Sequence, residues 1–151
     1  MRNFKNNGMC LYSKTNKSLV AAEDITCYKL LWKLRNSQSQ NHYTAYVDSY
    51  VNENIIKGDE DLVASGIEHI LHFKIRDCYE ITNGFIHTFK SKEDAIDLAN
   101  SYYCKSIENV DYEVYECIIP KGTRYYESMN DYDFCSKKIR FVKQTYTTND
   151  D

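Results

Sequence analysis

Phe85-Ile86-His87-Thr88-Phe89-Lys90-Ser91-Lys92-Glu93-Asp94-Ala95-Ile96-Asp97-Leu98-Ala99-Asn100-Ser101-Tyr102-Tyr103-Cys104 changes its hydrophobic period at Ser91. Before it, aromatic and β-branched residues alternate, which suits a strand. After it, Ala95, Leu98, Ala99 and Tyr102 recur at helical spacing, with Ile96 and Tyr103 beside them. Ser91 can cap the first turn, and Glu93 and Asp94 suit the positive end of the helix dipole. The spacing therefore predicts a dominant helix over 91–104. A helix with a single apolar face needs a sheet beneath it.

Working outward, several segments read as that sheet. Asp24 to Trp32 alternates with two usable faces and is expected to be a central strand. Val114–Ile119 reads as a short buried strand, Pro120 to Thr123 as a turn, and Lys138–Tyr146 as a last strand. Asn83-Gly84 separates two alternating segments, Cys78–Thr82 and Phe85–Phe89, and both turn residues tolerate positive φ, so a hairpin is expected there. Met9–Ser13 and Tyr43–Val47 are further short strands, and Arg35–His42, with no apolar residue, is a solvated loop. In Asp59–Leu71, Leu62, Val63, Ile67, Ile70 and Leu71 fit a helical stripe, and Leu71, Phe73 and Ile75 then alternate with polar residues. This segment predicts a second, shorter helix giving way to a strand, although Gly66 costs such a helix about 1 kcal/mol. Strands on both sides of one dominant helix define an α+β fold with a mostly antiparallel or split sheet.

The 151 residues match one domain, expected over 9–146, with flexible tails at 1–8 and 147–151. A composition that is 42% apolar and 27% charged excludes a disordered or fibrous chain, and only five Gly and one Pro exclude a linker-rich one. A net charge of −3 gives no field to hold a phosphate backbone, so nucleic acid is not the expected partner. No apolar run approaches the roughly 20 residues of a membrane span, and no apolar stretch follows the basic start, so a cytoplasmic protein is expected. Six cysteines without a C-x-x-C pair read as reduced, buried small hydrophobes.

Four histidines, His42, His69, His72 and His87, form no metal-ligand spacing with Cys, Asp or Glu, so no metal is expected. Fourteen tyrosines offer large contact area with a polar tip, the composition of a binding surface or of a sheet edge. Lys121, Arg124, Lys137, Lys138, Arg140 and Lys143 read as a solvated strand face or as a small phosphate-binding patch.

Gly84-Phe85-Ile86-His87-Thr88-Phe89 followed by the Ala95 and Ala99 helix resembles the G-F-x-S-T-S strand and helix of ADP-ribosyltransferases. Cys117-Ile118-Ile119-Pro120-Lys121-Gly122-Thr123 is similar to their I-P-x-G-T strand and turn, and Ile25 to Lys29 lies where they carry a strand ending in a dinucleotide-gripping Arg. The D-I-T-C-Y-K, G-F-x-H-T-F and I-I-P-K-G-T-x-Y-Y blocks also resemble uncharacterised short proteins of gut Bacteroidota and their phages, over most of residues 9–142. The departures are specific. Lys29 replaces the Arg, His87-Thr88-Phe89 replaces Ser-Thr-Ser, and Glu127, Asp131 and Asp133 do not reproduce the Glu-x-Glu or Gln-x-Glu motif that stabilises the ribosyl transition state. The resemblance thus implies a non-catalytic binding protein encoded by a phage or mobile element, with a host protein or a nucleotide-like molecule as partner. It requires no cofactor, and NAD or an ADP-ribose-like ligand is the molecule the fold would accept. The ligand residues would be Tyr28, Lys29, Phe85, His87, Thr88, Lys121, Arg124 and Tyr125. The alternative, an NAD-using transferase, would rest its chemistry on His87, Thr88 and Glu127.

Overall fold

Long alternating runs set the frame of the computed structural model, which describes residues 11–35, 41–44 and 50–149. The chain passes through β1 (Leu11–Ser13), β2 (Leu19–Val20), β3 (Ile25–Leu34), β4 (His42–Thr44), β5 (Tyr50–Val51), α1 (Glu53–Ile56), β6 (Leu62–Val63) and β7 (Ile70–Phe73). It continues through β8 (Cys78–Ile81), β9 (Ile86–Phe89), α2 (Lys92–Ala99), α3 (Tyr102–Lys105), β10 (Val110–Ile119), β11 (Arg124–Glu127), β12 (Asp133–Ser136) and β13 (Lys138–Thr147). This is an α+β fold whose strand pairs are antiparallel.

The main sheet runs β2-β11-β12-β9-β3-β10-β13-β6, and a separate small sheet runs β1-β8-β7. Only Lys137 separates β12 from β13 along the chain, yet β9, β3 and β10 lie between them in the sheet. The sheet must curl until its two halves meet. The side chains enclosed by that curl form one core cluster, with Cys27 and Leu31 from β3, Tyr115, Cys117 and Ile119 from β10, Phe134 from β12, and Ile139 and Phe141 from β13. The alternate residues of the same strands, Leu30, Tyr112 and Val114, lie on the outer face under Ala95, Leu98 and Ala99 of α2. Period-two alternation thus sorts the two central strands between two cores. A third cluster, Leu11, Ile81, Phe85, Tyr126 and Cys135, joins the small sheet to β11 and β12.

β3 is central as expected, flanked by β10 on one edge and by β9 and β4 on the other. Four expectations need correction. The helix over 91–104 is two helices. The Asn100 side chain donates to Ile96 O at 3.1 Å and to Tyr146 Oη at 2.8 Å, and Ser101 starts α3 by accepting from Cys104 N at 3.3 Å. Local side-chain bonding of this kind competes with the helical ladder. No helix forms over 59–71. Gly66 takes φ +92°, Leu62 and Val63 pair with Ile139 and Lys138, and the second helix lies earlier at α1, capped by Asn52 accepting from Ile55 N at 3.0 Å.

The expected hairpin at Asn83-Gly84 is absent as well. β8 pairs with β1 and β7, while β9 pairs with β12 and β3. Gly84 has φ +86° but Asn83 stays out of the positive region, so the type I′ turn that needs both is not made. The hairpin in this region is β7 to β8, turning at Asp77 with φ 51°. Finally, in place of a tail from 147, β13 includes Thr147, and Thr148 both donates to Tyr112 O and accepts from Tyr112 N at 2.9 Å. Met9, Cys10, the N-terminal tail, most of the 35–42 loop and residues 45–47 lie outside the described residues. The five described cysteines are buried.

Candidate functional site

The sequence-predicted ligand residues do not gather in one groove. β9 pairs with β3 only at Tyr28 and Phe89, after which β4 takes over the edge of β3 at Leu31 and Trp32. Lys29 occupies the gap. Its ammonium donates to His87 O at 2.7 Å, and burial lowers its pKa to about 8. Thr88 is fully buried beside it, and its Oγ1 has no hydrogen-bond partner among the described residues. His87 lies across from Cys135 of the third cluster, and burial, then the nearby Lys29 charge, lowers its pKa to about 3. None of these three groups faces solvent.

The other predicted residues scatter. Tyr28 rests half-buried against the α2 cluster, and Tyr125, also half-buried, packs its ring on Phe134 at the margin of the enclosed cluster, 5.9 Å between centroids. Lys121 is exposed, and its backbone amide donates to Asp24 Oδ1 at 2.9 Å. Glu127, the nearest candidate for a transferase carboxylate, pairs with Lys90, which also holds Asp131.

Apart from the buried group of Lys29, His87 and Thr88, Phe85 and Arg124 are brought together, and they meet around a residue that sequence reasoning missed. Arg124 grips Glu68 with both terminal nitrogens, Nη1 to Oε2 at 2.8 Å and Nη2 to Oε1 at 3.2 Å, while its Nε donates to Ser18 Oγ at 3.1 Å. Lys137 Nζ lies 3.0 Å from Glu68 Oε2 and donates to Gly84 O at 2.6 Å. Both cations sit over the Phe85 ring, Lys137 at 4.8 Å and Arg124 at 6.0 Å from its centroid. The hydrogen bond from Arg124, then that from Lys137, holds the Glu68 carboxyl down at about 2. The approach is tight: a Cβ on Gly84 would stand 2.8 Å from Glu68 Cα. A bidentate fork, a second cation and a ring form an arrangement that recognises oxyanions. Here it holds one of the chain's own.

A second titratable cluster was equally hidden. Glu113 is buried in β10 with Lys33 Nζ at 3.1 Å, His42 Nε2 at 2.8 Å and Tyr115 Oη at 3.1 Å. Burial alone would raise its carboxyl, but the bonds from His42 and Lys33 outweigh that and hold it below the usual range. Burial and then the Glu113 charge push the Tyr115 phenol up. With both carboxylate oxygens engaged, this cluster fastens β4 to β3 and β10.

Two surface features lie apart from these clusters. Ile67, Leu71, Phe73 and Ile75 are exposed in and around β7, the terminal strand of the small sheet. A groove of about 520 Å³ runs between α3 and the ends of β10 and β13, with Arg35, Lys105, Tyr112 and Tyr146 in its walls. Among the described residues no group of His, Cys, Asp and Glu is arranged to hold a metal ion, and no helix is long and apolar enough to cross a membrane. Comparison with protein-family models, with curated proteins and with solved structures returns no match.

Proposed function

We propose that this chain is a small non-catalytic binding module whose partner is a protein, docked as an extended segment along β7. One observation carries the reading: β7 is an edge strand that exposes Leu71 and Phe73, with Ile67 and Ile75 exposed at its two ends. An edge offers backbone donors and acceptors to an added strand, and alternate side chains supply the specificity. His72, stacked on Tyr79 at 4.7 Å, and the neighbouring Lys74 and Arg76 would favour an acidic, apolar-patterned partner strand. The free, buried thiols of Cys27, Cys78, Cys117 and Cys135 fit the reducing cytoplasm in which a phage- or mobile-element-encoded module would meet a host protein.

A groove reading for NAD or ADP-ribose receives less support. Lys29, His87 and Thr88 are buried, and a transferase would need a carboxylate beside them, whereas Glu127 is engaged by Lys90. The test places a photo-crosslinking side chain at Leu71 or Phe73, with Val142 of β13, also exposed, as the control position. One dominant protein adduct from positions 71 and 73 and none from 142 is expected. Equal labelling from all three, together with calorimetric heat from ADP-ribose, overturns the reading.

A further inference from the structure

We infer that Arg124, Lys137 and Ser18 form a binding site for a phosphate-bearing ligand, and that the chain's own Glu68 closes this site as an internal competitor. The guanidinium fork of Arg124 matches two oxygens of a phosphate as well as it matches the Glu68 carboxylate it now holds at 2.8 and 3.2 Å. Lys137 supplies a second charge at 3.0 Å, and the Ser18 hydroxyl, which accepts from Arg124 Nε, retains a proton to donate. The fold devotes two cations to one carboxylate that remains about one-third exposed, with side-chain exposures of 32% for Glu68 and 44% for Arg124. A soluble anion can therefore reach the same atoms.

The segment bearing Glu68 stays packed on Gly84, where a Cβ would stand 2.8 Å from Glu68 Cα, so the part free to leave is the Glu68 side chain. The segment is tied at its ends, Ala64 N donating to Lys137 O at 2.8 Å and His69 N to Asn83 O at 3.2 Å. Between those ties Gly66 has nothing within 4 Å of where its Cβ would be, and Ile67 is 87% exposed. Turning the Glu68 side chain out thus breaks its ion pairs with Arg124 and Lys137 while the backbone ties on either side stay in place. Phosphate carries up to two negative charges against the single charge of Glu68, so the exchange gains attraction to both cations. An internal competitor lowers apparent affinity by the fraction of time the site is open. The closed state sets a threshold that only a concentrated or multiply charged ligand passes.

The experiment titrates inorganic phosphate at fixed ionic strength into the wild-type chain, Glu68→Gln and the double variant Glu68→Gln/Arg124→Gln, with melting midpoints checking that each is folded. Removing the competitor should tighten phosphate binding on the order of tenfold or more, and the double variant should lose that gain. Binding to Glu68→Gln no tighter than to wild type, or undiminished in the double variant, overturns the site. If Glu68→Gln does not fold, the Arg124 side-chain Nε–H resonance of the wild-type protein decides. It should shift with phosphate and not with chloride at equal ionic strength, and a resonance indifferent to both overturns the site. No partner protein enters this measurement, so its failure and that of docking at β7 are separate.

Discussion

The Lys29 ammonium donates to the His87 carbonyl at 2.7 Å, although the two side chains leave the curled sheet on opposite faces. The contact exists because β9 parts from β3 beyond Tyr28 and Phe89, which strips the carbonyl of a ladder partner. A buried lysine is the sheet's remedy for that split, and its cost can be read in pH. Burial lowers the folded pKa to about 8 from 10.5, so between those values the unfolded chain binds more protons and stability rises with pH. Cys27, whose thiol burial pushes to about 12 from 9.0, acts in the opposite sense above pH 9, so the difference between two proteins is the useful quantity. Urea unfolding of wild type and Lys29→Met at pH 8 and pH 10 should show wild type gaining on the variant as pH rises, each pH unit being worth about 1.4 kcal/mol at most. Parallel curves would mean that the amine is solvated in the folded state.

His87 governs the acid side. Its folded pKa lies at about 3 against 6.5, so below pH 6.5 the unfolded chain takes up a proton that the folded chain refuses, and stability falls with falling pH. Between pH 7 and pH 5, above the range where Glu68 titrates, wild type should lose about 2 kcal/mol more than His87→Leu. An equal loss in both proteins would place the imidazole in contact with water.

How much of this was legible depended on whether the deciding contact was local. β3, β10 and β13 carry their alternation within their own ten residues, and the Ser91 cap needs only Asp94, three residues on. The stripe in 59–71 misled because Leu62 and Val63 answer to β13, more than seventy residues away, and because Ile67 belongs to no core at all. At the site, Phe85 and Arg124 were recognisable as an aromatic face and a phosphate donor, but Glu68 was not, since it meets Arg124 only after the small sheet folds back over β11. Lys29 and Thr88 were assigned to a groove because their chemistry suits one. Their register sends them into the enclosed cluster instead.

The two serine helix caps give a stability prediction with a built-in comparison. Ser91 Oγ accepts from Asp94 N at 3.1 Å, at the start of a helix whose Ala95, Leu98 and Ala99 are buried. Ser91→Ala should therefore destabilise by about 1 kcal/mol. Ser101→Ala removes a longer bond, 3.3 Å to Cys104 N, from a helix of four residues and should cost less. Thermal melts ranking the two the other way would show that α3, not α2, secures the outer core.

Two glycines share almost the same backbone and should respond very differently to the same substitution. Gly84 and Gly122 have φ of +86° and +87°, so alanine at either pays for a left-handed residue, roughly 1–2 kcal/mol. At Gly122 that is the whole effect, because nothing lies within 4 Å of the new methyl, and Thr123 N donating to Pro120 O at 3.1 Å keeps the turn. At Gly84 the methyl would stand 2.8 Å from Glu68 Cα and 2.9 Å from Glu68 N, both backbone atoms that no rotamer change can move. Either the Phe85 strand or the Glu68 segment must shift, and a shift loosens the clamp of Arg124 and Lys137 on the carboxylate. Gly84→Ala should therefore cost about 2–4 kcal/mol against about 1–2 for Gly122→Ala. It should also raise the Glu68 carboxyl from about 2 toward its ordinary value, which carboxyl-carbon NMR titration reads directly. Equal destabilisation by the two alanines, with an unmoved Glu68 titration, would mean that the close approach of Gly84 and Glu68 does not hold the segment in place.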